Sequence, residues 1–286
     1  MKRPSDLQAA RSAALVLVIF ATLTTLFALT PWSGDDWKFF HDSSHLLLSG
    51  KSLYREPIAG AYNHYPPWVA LVLGPLAVLT EQIGWAMICA LTLIAALLVL
   101  RHWSPDNTPG LIKSMLVLSS PATFYILMHG QIDALIIAGV LLPVEWWWLV
   151  AVTKPQVAVG LALGVPPRQW VRAGVIVLAA FGVSVLVAGW WPPELLHQPT
   201  PFTNAGHNLW LGLWPFQVPA GVTLAVKGFQ RKDDRLLITS SPFLSPYAAT
   251  SSLIGPWIAV VTFLTSWQAA IVWASWWGAL LYRQFV

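Results

Sequence analysis

Charge is scarce in this sequence: Asp, Glu, Lys and Arg make up 10% of its 286 residues, against about 25% in ordinary soluble domains. Too little polar surface remains to meet water on every side, which excludes a soluble globular domain. Cysteine is nearly absent. The single Cys89 sits inside an apolar run, so neither a disulfide framework nor a thiolate metal site can be built. The chain carries no glycine-rich phosphate loop, no His-Glu-x-x-His zinc pair and no Gly-x-Ser-x-Gly nucleophile turn. These absences argue against soluble nucleotide chemistry, and no metal site is evident. No internal repeat, low-complexity tract or long linker divides the sequence, which reads as a single transmembrane domain over 1–286.

Apolar residues fill the space that charge leaves: 56% of the chain is hydrophobic, with a mean hydropathy of +0.62. After a first run from Ala13 to Leu29, apolar segments follow at roughly 67–80, 85–100, 111–128, 132–149, 150–165, 173–190, 216–228, 253–267 and 268–282. A full span needs about 20 residues, so several of these must tilt, break or enter the bilayer only part way. The expected fold is all-α and multi-pass, with about eight to ten membrane segments. Trp32, Trp68, Trp85, Trp103, Trp190, Trp191 and Trp257 stand at segment ends, as interfacial belts require.

The charges that do exist set the topology. Lys2, Arg3 and Arg11 precede the first apolar run, which is long for a signal peptide and is followed by Pro31-Trp32-Ser33-Gly34 in place of a small-residue cleavage site. It reads as a retained first helix with a cytoplasmic N-terminus in the cell (inner or plasma) membrane. Arg168 with Arg172, the group Lys227, Arg231, Lys232 and Arg235, and Arg283 mark further cytoplasmic loops. Stretches 34–66 and 191–215 then face the other side. The pI near 9.3 is a topology signal, and no nucleic-acid partner is expected.

One polar stretch interrupts the pattern: "GDDWKFFHDSSHLLLSGKSLY", residues 34–54. Trp37, Phe40, Ser44, Leu47 and Leu48 share one helical face, with Lys38, Asp42 and His45 elsewhere. This predicts an amphipathic helix over 37–49 lying in the membrane interface, capped by Ser33 or Asp35 and stopped by Gly50. Asp35 and Asp36 serve either to favour the helix N-terminus or, for Asp36, as a general base in a pocket. His41 is a further candidate in the same helix.

Other polar residues sit between apolar runs, where they are expensive and usually have a partner or a function. In "FYILMHGQIDALIIAGVLL" His129, Gln131 and Asp133 fall within five residues. In "VAVTKPQVAVGLAL" Lys154 stands alone before a helix-breaking proline. Lys154 either pairs with Asp133, snorkels to an interface, or receives an anionic head group such as a phosphate. Tyr65-Pro66-Pro67 fixes an extended lead into a helix. In "NAGHNLWLGLWP" His207 and Asn208 either meet a polar ligand or satisfy loop backbone.

Taken in order, an Asp after the first helix, "LLLSGKSLY", "YPPW…GPLAVL", "GQIDALI", "TKPQ" and "SPFLSPYA" resemble the bacterial polyprenyl-phosphate-mannose-dependent mannosyltransferases. These belong to the GT-C superfamily of membrane glycosyltransferases, of which this chain would be a short member. The resemblance covers roughly residues 10–260. It implies a cell-envelope enzyme that transfers mannose or another hexose from a polyprenyl-phosphate donor to an extracytoplasmic acceptor hydroxyl, without a cofactor. It also implies that Asp36 is the catalytic base. Gln131, Lys154 and His207 would line the donor or phosphate side, His207 forming with Asn208 a polar outer-loop motif. Its partners would be membrane lipid and the lipid-linked donor, with membrane-protein partners open. Two other classes compete: a non-catalytic subunit of a larger membrane complex that keeps this fold, and a lipid or solute transporter.

Overall fold

The computed structural model describes residues 6–30, 34–105, 109–198 and 208–285. Among them the protein is all-helical, as expected. Its helices in chain order are α1 (Asp6–Ala28), α2 (Asp35–Leu48), α3 (Pro67–Ala77), α4 (Glu81–Trp103), α5 (Leu111–Leu118), α6 (Pro121–His129), α7 (Asp133–Ile137), α8 (Trp147–Thr153), α9 (Pro155–Gly164), α10 (Trp170–Ala188), α11 (Pro192–Leu196), α12 (Val218–Arg231), α13 (Asp234–Leu244), α14 (Ile254–Phe263) and α15 (Ser266–Phe285).

Among the described residues two helices, α4 and α10 with the turn before it, are long and apolar enough to cross a membrane. The bent pair α5–α6, angled by 48°, makes a third if it is one span. Shorter apolar helices cover Leu17–Ala28, Pro67–Ala77, Pro155–Gly164 and Thr250–Phe263. The protein is thus a membrane protein built around broken helices. The long run at 132–149 is divided into α7, two 3-10 turns and the start of α8. The run at 150–165 breaks at Lys154, just before Pro155, whose ring cannot continue the preceding helix.

Helix α4 is the central post, packed against α1, α2, α7 and α14. Helix α10 is its opposite, exposing Val171, Val175, Leu178 and Leu186, a surface suited to lipid. Where α5 bends into α6, the Ser119 carbonyl accepts from the indole N–H groups of Trp273 (3.1 Å) and Trp277 (3.0 Å) on α15. A freed carbonyl has no water to turn to inside a bilayer.

Helix α2 begins two residues earlier than the sequence pattern predicts and ends at Leu48. Gly34 occupies its N-cap with no side-chain cap, while Ser33 lies outside the described residues. Asp35 does not cap the helix in the usual way; its Oδ1 accepts from the neighbouring Asp36 N–H at 3.1 Å. At the other end Gly50 N–H donates to Leu47 and Lys51 N–H to Leu46, the double bond of a Schellman stop. Trp37, Phe40, Ser44 and Leu47 are buried as expected, joined by Phe39 and Ser43. Leu48, expected on that face, is 61% exposed. The correction follows from geometry: the buried residues fill the arc of the helix from Phe39 round to Trp37, and Leu48 falls just past the Trp37 edge of it. Trp37 anchors the helix by donating from Nε1 to the Glu81 carbonyl at 2.8 Å.

Candidate active site

Two glycines bring the start of α2 against the end of α6. A Cβ on Gly34 would stand 2.3 Å from the carbonyl carbon of His129, and one on Gly130 would stand 2.5 Å from Trp37 Cβ. Any side chain at either position would push the two backbones apart. Gly130 also ends α6 in the left-handed conformation, φ +68°, which lets the chain turn at once into Gln131. This main-chain contact brings the carboxyl groups of Asp35 and Asp36 to the side chains of His129 and Gln131.

A continuous hydrogen-bonded row results. Gln131 Nε2 donates to Asp36 Oδ2 at 2.5 Å. Its carbonyl oxygen accepts from Lys154 Nζ at 2.7 Å, and Lys154 Nζ also donates to Asp133 Oδ2 at 2.6 Å. Lys154 and Asp133 are both buried, so the Asp133–Lys154 pairing weighed from the sequence is present together with the link to Gln131. Lys154 owes its position to the break between α8 and α9. Its ammonium stands over the Tyr65 ring, 5.6 Å from the centroid.

Beside this row lies a second pair. His129 Nδ1 is 2.6 Å from Asp35 Oδ1, and the His129 ring leans on Tyr125 with centroids 4.2 Å apart. Because a carboxylate only accepts, Nδ1 carries the hydrogen and Nε2 is left for another partner.

Asp35, Asp36, Tyr65, His129, Gln131 and Lys154 all line one cavity of about 730 Å³, within the usual range for small-molecule sites. Tyr62, His64, Tyr125, Gln156 and Tyr247 complete much of its wall. Burial pushes the Asp36 carboxyl above the usual carboxylate range, with the nearby Lys154 charge pulling the other way. Burial likewise raises the Tyr65 phenol to about 12 and lowers the His64 imidazole. Tyr65 thus remains a neutral hydrogen-bonding group at ordinary pH.

Ligand atoms of Asp35, Asp36 and His129 lie within 4.8 Å of one another, so these three are the described residues that could hold a cation.

Other candidates fall elsewhere. His41 faces away from the cavity, with Nε2 3.2 Å from the Leu79 carbonyl and its ring against His45. Asp133 is sealed behind Lys154 and does not line the cavity. Asn208 is buried in loop structure, donating to the Pro246 carbonyl and accepting from the Trp210 and Ala248 N–H groups. These contacts satisfy loop backbone, as one of its two sequence readings has it. His207 lies outside the described residues.

His129 was visible in the sequence as a polar residue but not singled out for the site. Tyr125, one helical turn before it, carried a usable signal, since positions four apart share a helix face. Tyr247 lies within the "SPFLSPYA" motif. His64 offered no signal beyond its loop position.

The model of glycosyltransferase family 87 matches residues 63–228. That stretch includes Tyr65, His129, Gln131, Asp133 and Lys154, while Asp35 and Asp36 precede it. No curated protein and no solved structure matches the chain.

Proposed function

This chain belongs to glycosyltransferase family 87, and we propose that it transfers a hexose, mannose being the first choice, from a polyprenyl-phosphate donor to an acceptor hydroxyl. The reaction would take place at the extracytoplasmic face of the cell membrane, with α2 lying along the interface and the N-terminus inside. The observation that carries this reading is the single cavity that holds Asp36, Gln131, His129 and Lys154 together.

The chemistry asks for three things: an acceptor oxygen in line with the anomeric carbon, a base for its proton, and stabilisation of the leaving phosphate. As the acceptor oxygen bonds to the anomeric carbon, the bond from that carbon to the phosphate oxygen breaks, and the phosphate keeps the electron pair. The acceptor proton passes to the Asp36 carboxylate, whose Oδ2 is held by Gln131. Burial suits Asp36 to this role by raising its basicity.

Lys154 spends donors on Asp133 and Gln131. Its contribution to the phosphate is therefore the positive field of a fixed charge more than a direct contact. His129, oriented by Asp35 and Tyr125, supplies the more accessible hydrogen-bonding edge on that side. The prenyl chain would leave between membrane helices.

The test is transfer from radiolabelled polyprenyl-phosphate-mannose to membrane-extract acceptors by the purified protein, with Asp36→Asn as comparison. Transfer that Asp36→Asn abolishes without altering folding supports the reading. Transfer that Asp36→Asn leaves intact removes Asp36 from the mechanism. Absence of transfer from any polyprenyl-phosphate sugar, with stable co-purification of fixed partners, favours the subunit reading.

A further inference from the structure

At the far end of α9, about 15 Å from Lys154 by helical rise over its ten residues, a second cavity of about 790 Å³ opens. It forms where the start of α8, the turn from α9 to α10 and the turn from α12 to α13 meet. Its walls are Val144, Trp147, Pro166, Pro167, Phe229 and Leu237, and its basic lining residues are Arg168 and Lys232.

The charges around it are unevenly engaged. Arg172 is paired with Glu145 at 3.9 Å, and Arg235 with Asp233 at 2.8 Å. Arg168 and Lys232 are exposed and make no ion pair among the described residues. Asp234, the one carboxylate in the lining, is already engaged by His102 Nε2 at 3.4 Å. Lys232 ends α12 in the left-handed conformation, φ 52°, a place where glycine is the usual residue. A long cationic side chain thus stands where the backbone would favour none.

An apolar track leads out of the cavity. Val222, Val226 and Phe229 on α12 are 48%, 47% and 54% exposed. They stand four and three residues apart, on one face of the helix, and Phe229 itself lines the cavity. Lys227 and Arg231, both exposed, belong to the same helix. A free phosphate would use the cations and leave this track bare, whereas a phospholipid uses both.

We propose that this cavity binds an anionic phospholipid. Its head-group phosphate sits between Arg168 and Lys232, and an acyl chain lies along Val222, Val226 and Phe229. Basic pockets between helices on one side of a membrane are suited to such head groups. The site stands apart from the cavity at Asp36 and does not depend on the transfer reaction.

The test titrates the full-length protein, in neutral detergent, with dioctanoyl-phosphatidylglycerol, dioctanoyl-phosphatidylcholine and inorganic phosphate, reading binding by native mass spectrometry. Phosphatidylglycerol should bind at least about tenfold more tightly than phosphatidylcholine, the order of one charge-assisted contact. Arg168→Gln with Lys232→Gln should erase that preference. Lys227→Gln with Arg231→Gln, which removes the same charge outside the cavity, should keep it. Equal binding of the two lipids, or an equal loss in the second double variant, overturns the site. Inorganic phosphate binding as tightly as phosphatidylglycerol, with loss in the first double variant, overturns the lipid and leaves a soluble-phosphate site.

Discussion

Lys154 Nζ lies 2.6 Å from Asp133 Oδ2, and both groups are sealed from solvent. Removing the ammonium strands a carboxylate whose Oδ1 already has no hydrogen-bond partner among the described residues. Breaking a buried pair from one side costs about 3–5 kcal/mol. Lys154→Met should therefore lower the thermal unfolding midpoint in detergent sharply, and adding Asp133→Asn should recover much of it. Recovery of stability without recovery of sugar transfer would separate the structural share of Lys154 from its share in the reaction.

Asp36→Asn keeps the shape of the side chain and the contact with Gln131 but removes the proton acceptor. General-base catalysis is worth roughly 10²–10⁴ in rate. A fall in kcat of that size is expected, with KM for the lipid donor little changed, in steady-state assays on protein of unaltered unfolding midpoint.

The pH response follows from the burial of Asp36. A base must be ionised, so kcat falls as pH drops through a carboxyl pKa that sits above the ordinary value of about 3.9. Stability has the opposite sign. Because folding raises this pKa, the stabilisation from the protonated form is complete below the unfolded value and is lost as pH rises through the folded one. Acidification across that window should slow transfer while Asp36 contributes added stability. Paired rate and unfolding profiles check this, and Asp36→Asn should remove its share of both slopes.

Gly34→Ala tests the main-chain contact between α2 and α6. A Cβ would fall within 2.6 Å of three backbone atoms of His129 and Gly130, none of which can swing aside. Overpacking of this kind costs about 1–3 kcal/mol. It should also separate Asp36 from Gln131, so transfer is expected to fall well beyond what the stability loss explains.

The proposed orientation places 227–235 inside the cell. Gln230→Cys should resist a membrane-impermeant maleimide added to intact cells and react after the membrane is opened. The native Cys89 is buried and adds little background.

Much of this was legible in the chain. The middles of α4 and α10 follow from the apolar runs at 85–100 and 173–190, though not their ends, and the stop at Gly50 follows from a glycine at a helix end. Lys154, Gln131 and Asp36 stood out because each is polar beside grease. The breaks at Ser119 and Lys154 were harder to place: hydropathy runs straight through them, and only the local proline gives notice. Leu48 was misplaced because a helical wheel gives an angle without the neighbours that fill it. The Asp35–His129 pair was hidden for a different reason, as it joins positions 94 residues apart through two glycines whose role emerges only when the backbones touch.

The Gln131 amide has one further consequence. Its nitrogen end faces a carboxylate and its oxygen end faces an ammonium, so turning it over would set like against like at both contacts. Locked in this sense, the side chain is a spacer between Asp36 and Lys154, across which the Lys154 charge still acts on the carboxyl. The two are kept one residue short of neutralising each other. A Glu at this position would add a second anion next to the base, and an Ala would let the anion and cation drift together. In the proposed reaction a neutral group thus both holds the base and keeps its charge apart from that of Lys154.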